Sequence, residues 1–390
     1  MKILLSTPAF KPMVGGMEVM ADNLARHFTR RGYEVTLVTP TPYDGPDDEP
    51  YRIVRRPGPR QFYRLARETD IIFSNGASLY AAPYALATGK PFVMRHAGYQ
   101  ASVIDGAGWF RGKPAPTSTL PSFLFHLKNG KLPGTLRGIL KVSALRAFAK
   151  YYVTANVAIS DWMKQRHPLP RQVRIHNPFP ITKFAAQKNT SGQYAYDFFF
   201  LGRLVSEKGV DVLIEAFIEV QRRSQNRYRL CIIGDGPERS RLETMIDRAD
   251  QGEHVTFTGM LTKTALTDHL KECKIAVLPS MLEEPFGGVA SELLAAGKNI
   301  IVSRYGAMPE IVGDAGLTFP NGDSKALADA MSALAEDESL QREQRIKGER
   351  QVRAFNEDAL IDEYTALFAR ITNTPPPSTS PHLTETPPYV

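Results

Sequence analysis

Short apolar runs and helix-spaced apolar positions take turns along most of the chain. Lys2–Ser6 reads as a strand. Pro8, Pro12, Gly15 and Gly16 mark a loop, after which Met17, Met20, Leu24 and Phe28 recur at helical spacing until Gly32 closes the helix. Tyr33–Thr39, Asp70–Ser74 and Pro91–Arg95 read as further strands, with a helix near Ala77–Ala87. The pattern restarts with a strand at Asp197–Leu201, a helix at Val210–Arg222 and a strand at Arg229–Ile233. Helix 237–249, strand 254–258, helix 263–271 and strand 274–278 follow. Such alternation predicts parallel sheets covered on both faces.

The predicted fold class is therefore α/β, with two Rossmann-like doubly wound parallel-sheet domains. The break lies near His176-Asn177-Pro178-Phe179-Pro180, which puts residues 1–176 in the first domain and 177–354 in the second. Residues 373–390 read as a disordered tail, because Pro375–Val390 carries six prolines plus Ser and Thr and cannot pack a core. Open parallel sheets bind ligands beyond the carboxyl ends of their strands, so two such domains facing a cleft would hold the chemistry in their βα loops.

Composition narrows the class. With 43% hydrophobic and 23% charged residues in 390, wholesale disorder is excluded. Two cysteines, Cys231 and Cys273, exclude a disulfide framework and favour a reducing compartment. No run of about 18 apolar residues predicts a membrane span, and the apolar run at the N-terminus is too short for a signal peptide. Cytoplasmic residence is the expectation.

The net charge of +7 is local. Residues 111–150 hold Arg111, Lys113, Lys128, Lys131, Arg137, Lys141, Arg146 and Lys150 and no acid. Without them the chain has 40 basic and 41 acidic residues. Trp109, Phe110, Leu120, Phe123, Leu124, Phe125 and Leu127 lie within or beside the same stretch. The mixture reads as a patch for an anionic membrane surface or acceptor, or as a solvated face above ordinary core residues. On a helical wheel Arg137 and Lys141 fall opposite Arg146 and Lys150, so no single basic stripe is encoded. No nucleic-acid-binding motif is present, and no nucleic-acid partner is expected.

Candidate chemistry sits in the loops. Gly15-Gly16 lets a ligand approach backbone at a helix N-terminus, although the dinucleotide GxGxxG fingerprint is absent. Arg203 and Lys208 lie at the mouth of a βα loop, where they could clamp a diphosphate or simply be surface cations. The run from Glu284 through Phe286-Gly287-Gly288-Val289 to Glu292 opens a helix whose backbone N–H groups can bind phosphate oxygens. Glu284 is placed for a sugar hydroxyl and Glu292 for a ribose diol, the alternatives being a solvated carboxylate and a helix cap.

Taken together these blocks resemble the family 4 retaining glycosyltransferases of GT-B fold, from Met1 to about Ile371. The resemblance rests on Gly15-Gly16-Met17-Glu18, on Phe200-Leu201-Gly202-Arg203-Leu204 with Glu207-Lys208-Gly209, on Ile232-Ile233-Gly234-Asp235-Gly236-Pro237, on the Glu284–Glu292 pair and on Pro309-Glu310-Ile311-Val312. It implies that Arg203 and Lys208 bind and stabilise the donor diphosphate and that Glu292 holds the ribose. It also implies that Glu284, with the backbone at Phe286, Gly287 and Gly288, positions the donor sugar. Gly15 and Gly16 would line the phosphates, Gly259 and Met260 would border the base, and His96 would contact the donor sugar. The helix at 355–372 would return to the first domain. Lys298-Asn299 and Ala307 depart from the family pattern and could alter a loop near the site.

The implied reaction moves a hexosyl group from a nucleotide-diphosphate sugar to a hydroxyl with retention, in cell-surface polysaccharide or lipid-linked saccharide assembly. Neither a DxD motif nor a His/Cys cluster is seen, so no metal and no cofactor is expected beyond the donor substrate. The partners implied are the donor, a saccharide or lipid-linked acceptor and an anionic membrane touched by 111–150. The other readings are a nucleotide-sugar epimerase of similar architecture and a non-catalytic nucleotide-sugar-binding protein.

Overall fold

The computed structural model describes residues 1–376 apart from 14, 182, 183, 185–188, 190, 191 and 262. Most of the predicted tail, 377–390, thus lies outside the described residues. The chain forms two compact units. The first comprises Met1–Gly106, Thr117–Asn177 and Asp358–Val390, and the second comprises Ala107–Pro116 and Pro178–Glu357. The break falls one residue beyond the predicted boundary. The helix Glu357–Thr372 belongs to the first unit almost entirely, and the segment Ala107–Pro116, expected in the first unit, packs with the second.

The first unit is built on strands β1 (Lys2–Ser6), β2 (Glu34–Thr39), β3 (Arg52–Arg55), β4 (Ile71–Asn75), β5 (Phe92–His96) and, after the two short strands β6 (Trp109–Phe110) and β7 (Lys113–Pro114) of the segment that packs with the second unit, β8 (Ala155–Ala158) and β9 (Gln172–Arg174). They pair in parallel in the order β3-β2-β1-β4-β5-β8-β9. Successive side chains point to opposite faces. Ile3, Leu5, Phe73 and Val93 therefore pack on one face with Leu24 and Phe28 of helix Gly16–Arg30 and with Tyr364 and Phe368 of the returning helix. Leu4, Ile72, Phe92 and Met94 pack on the other face with Phe62, Ala85, Leu145 and Phe148. Burial on both faces explains the apolar runs Ile3–Leu5, Ile71–Phe73 and Phe92–Met94 at the centre of the sheet.

In the second unit, β10 (Tyr196–Leu201), β11 (Leu230–Ile233), β12 (Val255–Gly259), β13 (Cys273–Leu278), β14 (Asn299–Ser303) and β15 (Gly316–Phe319) pair in parallel in the order β12-β11-β10-β13-β14-β15. Phe198, Phe200, Ile232 and Val277 pack against Leu213 and Phe217 of helix Val210–Ser224 and against Leu327 and Met331 of helix Ser324–Glu336. The chain turns to opposite sides after β10 and after β13. The loops that follow these two adjacent strands therefore lie where an open α/β sheet parts to admit a ligand.

Two expectations are revised. The predicted helix at Ala77–Ala87 forms only over Ala82–Thr88, with Pro83 in its first turn. Proline fits there and disfavours helical backbone in the residue before it. Lys298 does not border a ligand loop. It precedes β14, at the amino end of the sheet, where its buried ammonium donates to the Cys273 carbonyl at 2.8 Å. Burial pushes its pKa down to about 8.

Most of the basic stretch 111–150 forms helices Thr119–Asn129 and Leu132–Tyr151. Leu120, Leu124, Leu127, Leu132, Leu136 and Leu140 are exposed, between 45% and 71%. Phe123, Phe125, Trp109 and Phe110 are half-buried.

Candidate functional site

In the second unit, β10, β11 and β12 all end on or just before glycine. Gly202 N–H donates to the Ile233 carbonyl at 3.0 Å, and Gly234 N–H donates to the Gly259 carbonyl at 3.0 Å. Gly234 has φ 138°, and a Cβ there would run into the Gly202 carbonyl oxygen. Only glycine allows the two backbones to cross this closely. The crossing draws Gly202, Gly234 and Gly259 together at the carboxyl edge of the sheet. Met260, 75% exposed, stands beside them.

The loop after β10 carries the cations. Arg203 is 72% exposed, and its guanidinium lies 4.0 Å from Glu207. Lys208 ends the 3₁₀ turn Ser206–Lys208, and its ammonium donates to Glu284 Oε1 at 2.6 Å. The Ser280 hydroxyl lies 2.9 Å from the same carboxylate oxygen and 3.2 Å from the Glu207 carbonyl. Met281 N–H donates to that carbonyl at 2.9 Å, so the loops after β10 and β13 brace each other. Glu284 is held through its backbone as well: Ala307 N–H donates to its carbonyl at 2.8 Å, and it bridges Gly306. Ala307, flagged as a departure, thus buttresses Glu284 through backbone that does not depend on its side chain.

Gly287 caps helix Gly288–Ala295 and leaves the first-turn N–H groups of Gly288 and Val289 without intrahelical acceptors. Phe286 is buried, stacked on Phe179 at 5.6 Å and edge-on to Phe355 at 5.9 Å, which fixes where that N-terminus points. Glu292 lies on the same helix, half-buried. The unit therefore assembles Arg203, Lys208, Glu284, Phe286, Gly287, Gly288, Val289 and Glu292 around the point where the sheet parts. Ser280 went unremarked in the sequence. Its one signal is its place after Pro279, at the end of a buried strand.

In the first unit, Gly15 caps helix Gly16–Arg30 in extended backbone. A Cβ on Gly15 would meet the Glu18 carboxylate at 2.6 Å, whereas nothing lies within 4 Å of one on Gly16. Gly16 is thus the open position, and Glu18 shadows its neighbour. The loop is anchored by Asn75, whose amide donates to the Met17 carbonyl at 2.9 Å. Asn75 in turn accepts from buried Arg95 at 2.7 Å, which also donates to Asn177 at 2.5 Å. Burial lowers the Arg95 pKa, and Tyr364 opposes that shift. Sequence reading passed over Arg95, because an arginine inside a sheet strand carries no motif.

His96 ends β5 and is 4% exposed, with Nε2 2.9 Å from Asn156 Oδ1. Burial pushes its pKa down to about 4, against the raising effect of Asn156, so the ring is neutral at pH 7. Against a carboxamide oxygen the ring nitrogen donates, which places the proton on Nε2.

A model of glycosyltransferase family 4 matches residues 14–179, and a model of glycosyl transferases group 1 matches residues 182–351. The chain belongs to glycosyltransferase family 4. Among curated relatives, the lipopolysaccharide core biosynthesis glycosyltransferase LpsD of Rhizobium meliloti is 36% identical over 44% of this chain and 48% of its own. The phosphatidyl-myo-inositol mannosyltransferase of Mycobacterium leprae is 28% identical over 44% of this chain and 46% of its own. The chain spans about half or less of the length of the first curated relatives it matches. HepE of Anabaena, solved in complex with UDP, superposes with a TM-score of 0.70 at 16% identity, covering 95% of this chain and 100% of that one. That likeness shows a shared GT-B-type α/β fold.

Among the described residues, no group of three or more His, Cys, Asp or Glu side chains is arranged to hold a metal ion. No helix among them is long and apolar enough to cross a membrane.

The histidines of this family 4 chain yield a test of the first unit. His167 packs at a tilt against Tyr99, with ring centroids 4.6 Å apart, and burial, then Arg166 and Arg146, push its pKa down to about 3. The unfolded chain takes up these protons near pH 6.5, while the folded chain does not until far lower pH. Stability is therefore complete above that value and falls as pH drops through it, by about 2 kcal/mol per ring at pH 5. His167→Phe is expected to lose about 2 kcal/mol less than the parent between pH 7 and pH 5 in denaturant unfolding. An equal loss would contradict the buried neutral ring.

Proposed function

We propose that the chain is a retaining glycosyltransferase that moves a sugar from a nucleoside-diphosphate sugar to a hydroxyl of a saccharide or lipid-linked acceptor. The observation that carries this reading is the Lys208–Glu284 pair at 2.6 Å, beside exposed Arg203 and the Gly287-capped helix. It joins a cation and a carboxylate that the two halves of such a donor would take separately: diphosphate oxygens for Lys208, sugar hydroxyls for Glu284. Glu292 on the following turns is suited to the ribose diol, and Gly259 with Met260 to the base.

In this reading catalysis is positioning plus stabilisation of charge on the departing diphosphate. Arg203, Lys208 and the N–H groups of Gly288 and Val289 supply that stabilisation. The acceptor hydroxyl attacks the anomeric carbon on the face the diphosphate leaves, and a leaving phosphate oxygen takes its proton. The carbon–oxygen bond to phosphate breaks as the new glycosidic bond forms, so configuration is kept. We assign no metal to this step, since side-chain cations and helix N–H groups can balance the diphosphate.

Donor choice is tested by thermal protection with UDP-, GDP- and ADP-sugars, UDP being the nucleotide in the HepE complex. With the protecting donor and excess EDTA present, turnover is expected to persist, and Lys208→Ala to reduce it by two orders of magnitude or more with the fold intact. Wild-type turnover in the variant would remove the phosphate role. Loss in EDTA restored by Mn²⁺ would replace metal independence.

The acceptor reading rests on the exposed leucine rows. Leu120, Leu124 and Leu127 follow helical spacing on one helix, as do Leu132, Leu136 and Leu140 on the next, with Lys128, Lys131, Arg137 and Lys141 exposed among them. Exposed leucines flanked by cations without a single acid suit the surface of an anionic bilayer. LpsD is named for lipopolysaccharide core biosynthesis and the Mycobacterium leprae relative for phosphatidyl-myo-inositol, which fits this reading. We accordingly place the protein on the cytoplasmic face of a membrane. Flotation with phosphatidylglycerol vesicles should recover the parent and lose it when those four cations become Gln, a drop on the order of a hundredfold in binding. Unchanged recovery would exclude the surface.

A further inference from the structure

The second unit contains a segment that its sequence position assigns elsewhere. Residues Ala107–Pro116 belong to this unit, whereas the chain up to Gly106 and from Thr117 belongs to the first. The segment is a small antiparallel hairpin of β6 (Trp109–Phe110) and β7 (Lys113–Pro114). Trp109 faces Pro114, and Phe110 faces Lys113. Its two turn residues, Arg111 at φ 51° and Gly112 at φ 77°, both occupy left-handed backbone. That is the arrangement of a type I′ turn, which matches the twist of a tight hairpin. The Arg111 guanidinium lies over the Phe110 ring at 5.0 Å, and Ala115 N–H closes on the Gly108 carbonyl at 2.9 Å.

The hairpin seats on the loop that presents the donor-binding cations. The Trp109 indole N–H donates to Ser206 Oγ at 3.1 Å, and a Cβ on Gly112 would touch the same hydroxyl at 3.9 Å. Ser206 begins the 3₁₀ turn that ends at Lys208, and it accepts from Gly209 N–H through its carbonyl at 3.2 Å. The turn is three residues long, so a constraint on its first residue acts directly on its last. Arg111 and Lys113 are exposed on the hairpin, which therefore brings two further positive charges to the Ser206–Lys208 turn that Trp109 contacts.

We propose that the 107–116 hairpin is a diphosphate-specificity element of the donor site, in which Trp109 is a positioning residue that holds the Ser206–Lys208 turn while Arg111 and Lys113 supply supplementary positive potential. It rests on the donor reading above and adds to it residues that do not lie in any of the blocks carrying the family resemblance. The indole sets where the Lys208 ammonium is offered. The two tip cations favour a ligand with a second phosphate over one with a single phosphate, because their attraction grows with ligand charge.

The test is titration calorimetry with whichever pair the parent binds: UDP and UMP, GDP and GMP, or ADP and AMP. Trp109→Phe keeps an aromatic ring and removes the donor N–H, and Ser206→Ala removes the acceptor. Each is expected to weaken the diphosphate about five-fold, with the double variant no weaker than either single one. The monophosphate should change less than two-fold. Arg111→Gln with Lys113→Gln should flatten the salt dependence of diphosphate binding and leave that of the monophosphate in place. Equal weakening of both nucleotides would show a merely structural hairpin and overturn the proposal, as would parent-like diphosphate binding in Trp109→Phe. A parent that binds none of the three diphosphates overturns the donor reading and this inference with it.

Discussion

The second unit is organised around one ion pair. Lys208 and Glu284 stand 76 residues apart in sequence, and their side chains meet at 2.6 Å only because β10 and β13 are neighbours at the point where the sheet parts. Everything local serves that meeting. The Glu207 carbonyl accepts from Met281 N–H and ties one loop to the other. Ser280 completes the coordination of the carboxylate, and Ala307 fixes its backbone. The pair is partly buried, Lys208 at 28% and Glu284 at 12% exposure, so losing either partner would strand the other in a poorly solvated position. A ligand that supplies an anion to the lysine and hydroxyls to the glutamate replaces both partners at once.

Sheet geometry does the remaining work. Three adjacent strands reach the same edge with Gly202, Gly234 and Gly259, and the Gly202–Gly234 crossing leaves no room for a side chain. The loops can therefore lie close over the strand ends. On the other side of the pair, Phe286, stacked on Phe179 and edge-on to Phe355, anchors the N-terminus of helix Gly288–Ala295 in an aromatic wedge. Rigid supports of this kind let N–H groups act on developing charge without reorganising during the reaction.

Much of this architecture was legible in the chain, for a physical reason. Strands such as Lys2–Ser6, covered on both faces, must carry a continuous apolar run, here Ile3–Leu5, and helices such as Gly16–Arg30 must carry a periodic stripe, so the alternation reads directly. Short strand β3, Arg52–Arg55, escaped because it lies at the sheet edge and half its residues are arginine. The hairpin at 109–114 escaped for a different reason. Its turn places Arg111 where Asn, Asp or Gly would have signalled left-handed backbone, and it packs with a unit remote in sequence. Arg203, Lys208, Glu284 and Glu292 stood out by their places in βα loops and at a helix start, and the family resemblance gave each an expected role. Spacing alone does not reveal that a lysine and a glutamate so far apart will touch. Arg95 carried no signal of its own and Ser280 only its place after a buried strand, because their roles exist only in the contacts the fold creates.

The central claim is that Lys208 exchanges Glu284 for the donor diphosphate. The most direct measurement is the affinity of Glu284→Gln for the nucleoside diphosphate that the parent binds. Removing the competing carboxylate frees the lysine, so the account predicts binding at least as tight as the parent's, alongside a large loss of sugar transfer. Binding ten-fold weaker than the parent's would mean that Glu284 supports the diphosphate site and does not compete for its lysine, and the exchange would be contradicted.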